Sequence, residues 1–201
     1  MSVRQSSRTK LILAISVAAW AIGVGLGWRQ LSIYANTPGK RAEAPANWPA
    51  GSPIRQTSGR PSIVVFVHPQ CPCSLATITE LARIVATAPR QFDIDIFFYR
   101  PGTERAEWSR TDLWRNAAAV PGARLADDRD AEMARVFGAR VSGQAMVYDA
   151  GGALLFNGGI TSARGHAGDS DGRDAILAIA RNETPERRTT PVFGCALYAT
   201  E

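Results

Sequence analysis

The chain is poor in the residues that carry most protein chemistry. Among 201 residues there are three cysteines and two histidines, too few for an array of zinc modules or a small disulfide-stapled scaffold. Acidic residues are absent from the first 40 positions, which hold Arg4, Arg8, Lys10, Arg29 and Lys40. The remainder carries 18 basic and 18 acidic residues, so the sequence pI of about 9.6 belongs to the N-terminus alone. A nucleic-acid-binding domain is expected to carry its own basic face. No run of Lys or Arg interleaved with aromatics supplies one, and no nucleic acid is expected as a partner.

Charge is also missing from residues 11–27, 17 consecutive positions that follow a short basic start. That length is at the low end for a membrane-spanning helix, and Trp20 and Trp28 suit its interior or interface. The charge asymmetry predicts residues 1–10 in the cytoplasm, a single-pass signal anchor over 11–28, and everything after it outside. The alternative is a secretory signal cleaved near Ala35, but Ile33 is too large for the usual small-x-small site. Either way the rest of the chain is expected on the periplasmic, extracytoplasmic side of the inner (cytoplasmic) membrane.

Residues 29–60 read as an extended linker. Pro38, Pro45, Pro49 and Pro53 interrupt it, and no apolar period runs through it. With 45% hydrophobic and 20% charged residues overall, the chain beyond residue 60 is long enough for one packed domain. The run 62–67 is β-branched and almost wholly apolar, as in a strand buried on both faces. Residues 74–88 place Leu75, Ile78, Leu81, Ala82 and Val85 at helical spacing, stopped by Pro89. Residues 92–99 form a second strand, and 106–119 a helix anchored by Trp108 and Trp114. A short strand over 124–126 precedes a helix ending at Phe137, capped by Asp127 or Asp128. Residues 144–148 and 153–156, joined by a Gly-containing turn, form a hairpin. A Gly-rich loop over 157–172 leads to a last helix over 173–181, with Asp171 as its cap. The tail 183–201 is irregular and contains Cys195. Crossover helices make the first strands parallel and the hairpin adds an antiparallel end. The fold class is therefore α/β, a mixed sheet of four or five strands flanked by helices and preceded by one transmembrane helix.

The chemistry centres on the Cys-Pro-Cys at 71–73. Cys71 follows a buried strand and opens a helix, whose free N–H groups and positive dipole end favour the thiolate. Pro72 suits the first helical turn, where no N–H is needed. A Cys71–Cys73 disulfide would be strained, because bridged Cα atoms lie roughly 4.4–6.8 Å apart with a strict torsion. Such a bond would be labile and oxidising. The same closeness suits a two-thiolate clamp for Cu(I). Cys195 is the odd cysteine. It can resolve a disulfide with Cys71 or Cys73, act as a third metal ligand, or simply pack the tail. His68 reads as readily as a turn residue as a ligand.

The strand at 63–67, Cys71 with the helix after it, the Phe137-Gly138-Ala139-Arg140 step and the 146–156 hairpin together resemble the thioredoxin superfamily. The likeness is greatest to its membrane-anchored periplasmic thiol–disulfide oxidoreductases related to cytochrome c maturation, and it covers residues 61–182. It implies a thioredoxin-like domain, with the loop after the hairpin returning Arg164 and His166 toward the cysteines. Two departures stand out. The usual Cys-x-x-Cys is one residue short, and Gly143 stands where a cis-proline ordinarily shapes the groove for an extended substrate chain. The reading is a membrane-tethered thiol–disulfide redox protein that requires no cofactor. Cys71, Cys73 and Cys195 would be catalytic, with Pro72, Gly143, Arg164 and His166 supporting them. Its partner would be a redox protein or metalloprotein. The alternative is a copper-binding or copper-delivering protein that holds Cu(I) with Cys71, Cys73 and His166 or Cys195.

The anchor is tested by expressing the full chain and fractionating the cells. An uncleaved N-terminus in the membrane fraction is expected, and a soluble protein beginning near Asn36 would mean cleavage instead.

Overall fold

The computed structural model describes residues 2–40, 43–52, 54, 56 and 59–198. It divides into two units, residues 1–36 and 37–201. The first is one helix, α1 (Ser2–Asn36), 35 residues long. Its stretch Arg8–Asn36 is long and apolar enough to cross a membrane. Positions 29–36, expected to begin the linker, are helical instead. No Gly or Pro lies between Trp28 and Thr37, and the helix ends just before Pro38, which disfavours helical geometry in the residue ahead of it.

The second unit is a five-stranded mixed sheet in the order β3-β2-β1-β4-β5. Its strands are β1 (Ser62–Val67), β2 (Asp93–Arg100), β3 (Ala123–Arg129), β4 (Gln144–Tyr148) and β5 (Leu154–Gly159). β1 pairs parallel with β2 and antiparallel with β4, β2 pairs parallel with β3, and β4 and β5 form the predicted antiparallel hairpin. Every residue of β1 is buried. Ile63, Val65 and Val67 face a core shared with α2 (Ser74–Thr87), α3 (Asp112–Ala118) and α5 (Asp171–Ala180). Val64 and Phe66 face a second core with α4 (Glu132–Val136), Phe137, Trp48 and Leu197. That two-sided burial is why the strand reads as a continuous apolar run rather than an alternating one.

Several elements depart from the expected boundaries. The helix predicted over 106–119 is broken into a 3₁₀ turn, Ala106–Ser109, and α3. The Ser109 hydroxyl contacts Ala106 O and the Asp127 carboxylate, and the Thr111 hydroxyl donates to Pro69 O; such local side-chain bonds compete with helix continuation. β3 runs past residue 126 because its in-register ladder with β2 continues to Arg100↔Arg129. Asp127 sits within that strand and pairs with Arg110 at 2.9 Å. Asp128 does serve α4, accepting from the N–H groups of Met133 and Ala134 at 2.8 and 3.0 Å. Its burial nevertheless holds its carboxyl above the usual range, against those two bonds. α5 starts at Asp171, not 173, and its cap is Ser170, whose hydroxyl accepts from Arg173 N–H.

The segment expected as an extended tether lies on the domain. Trp48 N–H donates to Gly152 O at 2.7 Å and Leu154 N–H to Ala46 O at 2.9 Å. The Trp48 ring meets Phe137 and Tyr148 edge-on at 5.2 and 5.3 Å. The prolines prevent regular structure but leave these backbone groups able to pair. β5 is an edge strand, and an edge left bare is prone to pair with another chain. The linker covers one end of it. The tail covers the other, through Asn157 N–H to Arg188 O at 2.9 Å.

Trp48→Ala should therefore cost about 2–4 kcal/mol in urea unfolding of the full chain and should open residues 43–52 to proteolysis. A variant with unchanged stability would return the segment to a free tether.

Candidate functional site

Chain geometry at the end of β1 builds the site. After Val67 the chain turns, with Cys71 N–H donating to His68 O at 3.0 Å. The Cys-Pro-Cys then winds as a first turn, with Ser74 N–H donating to Cys71 O and Ala76 N–H to Cys73 O. Cys73 stands at the cap position of α2 in helical conformation, so Pro72 falls where its missing N–H leaves no bond unmade. Cys71 is 3% exposed and Cys73 8%.

The third cysteine arrives from the tail. Val141 and Ala196 form an antiparallel bridge. Ser142 N–H donates to Cys195 O at 2.8 Å, and Leu197 N–H to Arg140 O at 2.9 Å. This short seam sets the Cys195 sulfur 3.2 Å from that of Cys71. All three cysteines are free thiols. Gly194 is forced by the seam, because a Cβ there would run into the carbonyl of Ser142.

The environments of the three sulfurs differ. Burial raises the Cys71 pKa. Hydrogen bonds from the Ser74 hydroxyl, the backbone of Cys195, the Cys195 thiol and the backbone of Cys73 more than offset it, leaving Cys71 below the ordinary thiol value. Burial, with the neighbouring Cys71 charge, raises Cys73 despite the Arg164 guanidinium beside it. Burial and the bond shared with Cys71 push Cys195 up to about 11. Of the two sulfurs in contact, Cys71 is therefore the more readily ionised and Cys195 the one that holds its proton more tightly.

Gly143 ends the loop on which the tail is seated. Its φ is +92°, a conformation that glycine alone adopts readily. Its N–H donates to Phe66 O at 2.7 Å, and a Cβ would lie 2.7 Å from Thr77 Oγ1. Proline fits none of these conditions, having φ near −65° and no N–H. The position has been rebuilt around glycine.

Arg164 and His166 part company. Arg164 Nη1 donates to Gly194 O at 2.5 Å, so its guanidinium steadies the tail beside Cys73 and Cys195. His166 is exposed in a turn, its backbone N–H donating to Ala163 O. Among the described residues no hydrogen bond, ion pair or ring contact joins its imidazole to the cysteines. His68 stacks on Tyr99 at 5.3 Å, and its Nδ1 accepts from Gln70 N–H at 3.2 Å. Burial lowers its pKa, so the ring serves the turn as a neutral acceptor. Among the described residues no group of three or more His, Cys, Asp or Glu side chains is arranged to hold a metal ion. A cavity of about 580 Å³ lies under the linker and tail, lined in part by Glu43, Gln144, Asn157 and Thr190. The cysteines are not among its walls.

Sequence reasoning named Cys71, Cys73, Cys195 and Arg164. It missed Ser74 and Ser142, both buried, whose hydroxyl oxygens lie 2.6 Å apart beside Cys71. Nothing in their sequence spacing pairs two serines 68 positions apart.

No family model matches the chain, and no curated protein matches it. Among solved structures, an uncharacterized conserved protein from Geobacillus kaustophilus is similar at a TM-score of 0.60 and 17% identity, over 82% of this chain and 93% of that one. A hypothetical protein from Sinorhizobium meliloti is similar at 0.56 and 21% identity, over 80% and 93%. A secreted Mycobacterium tuberculosis disulfide oxidoreductase reaches 0.46 at 16% identity, over 61% and 83%. The fold is thioredoxin-like: a mixed five-stranded sheet flanked by helices, with β1 at its centre leading into α2.

Introducing a proline probes how closely this position is fitted to glycine. Gly143→Pro should destabilise the protein by about 3 kcal/mol or more in thermal or urea unfolding. A proline variant as stable as the parent would show that the loop readily adopts the other geometry.

Proposed function

We propose that this chain is a membrane-tethered, extracytoplasmic thiol–disulfide redox protein whose working pair is Cys71 and Cys195, with the anchor helix holding it at the inner membrane. The observation that carries the reading is the 3.2 Å approach of the two sulfurs, reached across the whole domain and set beside a helix N-terminus. The basic start and the apolar α1 support the tether.

The unequal pKa values order the steps. The Cys71 thiolate attacks one sulfur of a substrate disulfide; a new S–S bond forms, the old one breaks, and one substrate thiolate leaves. Cys71 is then neutral, so the charge and bond that held the proton on Cys195 are gone. Cys195 gives up its proton to solvent and attacks the Cys71 sulfur, releasing the second substrate thiolate and leaving a Cys71–Cys195 disulfide. The substrate gains two electrons and the pair loses two. An external dithiol restores the pair, and the same steps reversed oxidise a substrate dithiol.

Cys73 stands outside this sequence as a buried thiol with a raised pKa. A Cys71–Cys73 bond requires a strained small ring, whereas the Cys195 sulfur already lies 3.2 Å from that of Cys71. The Cu(I) alternative uses Cys71 and Cys73 with His166 or Cys195; the position of His166 lends it no support, which leaves Cys195, 3.2 Å from Cys71, as its third ligand.

Mild oxidation of the full chain followed by peptide mapping should give a Cys71–Cys195 bridge. Cys71→Ser should abolish exchange with a model disulfide, Cys195→Ser should accumulate a mixed disulfide on Cys71, and Cys73→Ser should retain most of the rate. Because thiolate is the nucleophile, alkylation of Cys71 should rise with pH with its midpoint below the ordinary thiol pKa of 9.0, while Cys195 responds only near 11. A Cys71–Cys73 bridge as the oxidation product would overturn the assignment. Stoichiometric Cu(I) binding lost in Cys71→Ser, with no exchange in the parent, would replace it with the copper reading.

A further inference from the structure

The region behind Cys71 is polar in an otherwise apolar setting. Ser74, the first residue of α2, and Ser142, in the loop before β4, are each 1% exposed. Their hydroxyl oxygens are 2.6 Å apart. Ser142 Oγ is also 2.6 Å from the backbone nitrogen of His68. Ser74 lies on the turn that begins at Cys71, its N–H donating to Cys71 O at 3.1 Å, and its hydroxyl lowers the Cys71 pKa.

Counting protons fixes the direction of these bonds. A backbone N–H can only donate, so Ser142 Oγ accepts from His68. Ser142 has one proton of its own and Ser74 has one. If Ser74 gave its proton to Ser142, the Ser142 proton would be buried without an acceptor in this cluster and the sulfur would lose a donor. A buried hydroxyl proton left without an acceptor is costly. In the opposite arrangement every proton is used: His68 N–H to Ser142 Oγ, Ser142 O–H to Ser74 Oγ, and Ser74 O–H to Cys71. Bonds aligned head to tail in a dry setting polarise one another, and this row ends on the atom that carries negative charge.

We propose that Ser142 is a positioning residue that holds the Ser74 hydroxyl with its proton directed at the Cys71 sulfur. The inference deepens the redox reading, since it takes Cys71 as the attacking thiolate. Ser142 Oγ makes no described contact with the sulfur; it acts on it through Ser74, and it also accepts from His68 N–H in the turn whose carbonyl receives Cys71 N–H. The other groups facing Cys71 are Cys73 and Cys195, with Arg164 beside both. All are untouched by a change at residue 142. The Ser142 backbone N–H also holds the tail through Cys195 O, and that bond survives truncation of the side chain. One residue thus serves the nucleophile with its hydroxyl and the resolving cysteine with its backbone.

The test is the pH profile of Cys71 alkylation by iodoacetamide in the reduced full chain, resolved by peptide mass spectrometry. Ser142→Ala should shift the profile to higher pH and slow alkylation at neutral pH about threefold to tenfold, on the order expected for weakening a bond to a charged group. Ser74→Ala should do at least as much. Because Ser142 works through Ser74, the double variant should match Ser74→Ala alone. Ser142→Gly, which also keeps the backbone N–H, should repeat the effect and serves if the alanine variant fails to fold. An unshifted profile in a folded Ser142 variant would overturn the proposal. So would an equal further loss in the Ser74→Ala background, the mark of a merely structural role. The readout needs no disulfide substrate. Failure of exchange in the parent protein would fall on the redox reading, and an unshifted profile on the serines.

Discussion

The site depends on a seam of a few backbone hydrogen bonds between residues 140–142 and the tail. Without it, Cys195 is a thiol on an irregular segment with no defined neighbour. With it, the sulfur is held 3.2 Å from Cys71. The seam is tight enough to dictate composition on both sides. Gly194 cannot carry a Cβ because of the Ser142 carbonyl, and Gly143 must adopt a positive φ while donating to Phe66. That last bond ties the loop to β1, the strand buried on both faces. Placement of the tail is thereby referred back to the fully buried strand at the centre of the sheet.

Rigid placement lets a small electrostatic difference matter. Two thiols at this distance would share charge evenly in water. Here one is buried at the start of α2 and receives hydrogen bonds from Ser74, from backbone N–H groups and from Cys195, while the other is half-buried with fewer donors. The result is a division of labour between chemically identical groups. The Arg164 guanidinium holds the Gly194 carbonyl and draws the second thiol's pKa down slightly, against burial and the neighbouring sulfurs.

Much of the fold was legible because it rests on local signals. The apolar run of β1, the helical period of α2 and the turn of the β4–β5 hairpin are each contained within about a dozen residues, and their order implies the sheet. The strand-to-helix junction likewise marked Cys71. What stayed open or unseen required two distant segments to meet. The sequence offered Cys195 either Cys71 or Cys73 as its partner, and only the fold, bringing together positions 124 apart, selects Cys71; the Ser74–Ser142 pair, 68 apart, went unnamed. The prolines of the linker spoke correctly against regular structure but could not reveal that Trp48 has a seat between Phe137 and Tyr148. His166 was placed near the sulfurs by the return of its loop. The loop does return, but Arg164 is the side chain that reaches the site. The missing proline at Gly143 read as a loss, whereas the backbone shows a position built for glycine.

The sequence separation of the two cysteines has a consequence of its own. Joining them would close a ring around nearly the whole domain, from the end of β1 to the tail. In the unfolded chain, a ring of this size removes conformational freedom equivalent to roughly 4–5 kcal/mol. The folded chain has already made that sacrifice by seating the tail. Thermodynamic reciprocity then requires that whatever the bond contributes to holding the tail, the seated tail contributes to holding the bond. Tail order and reducing power are therefore one equilibrium seen from two ends. A partner that merely peeled residues 194–197 away would make the chain easier to reduce without touching a sulfur.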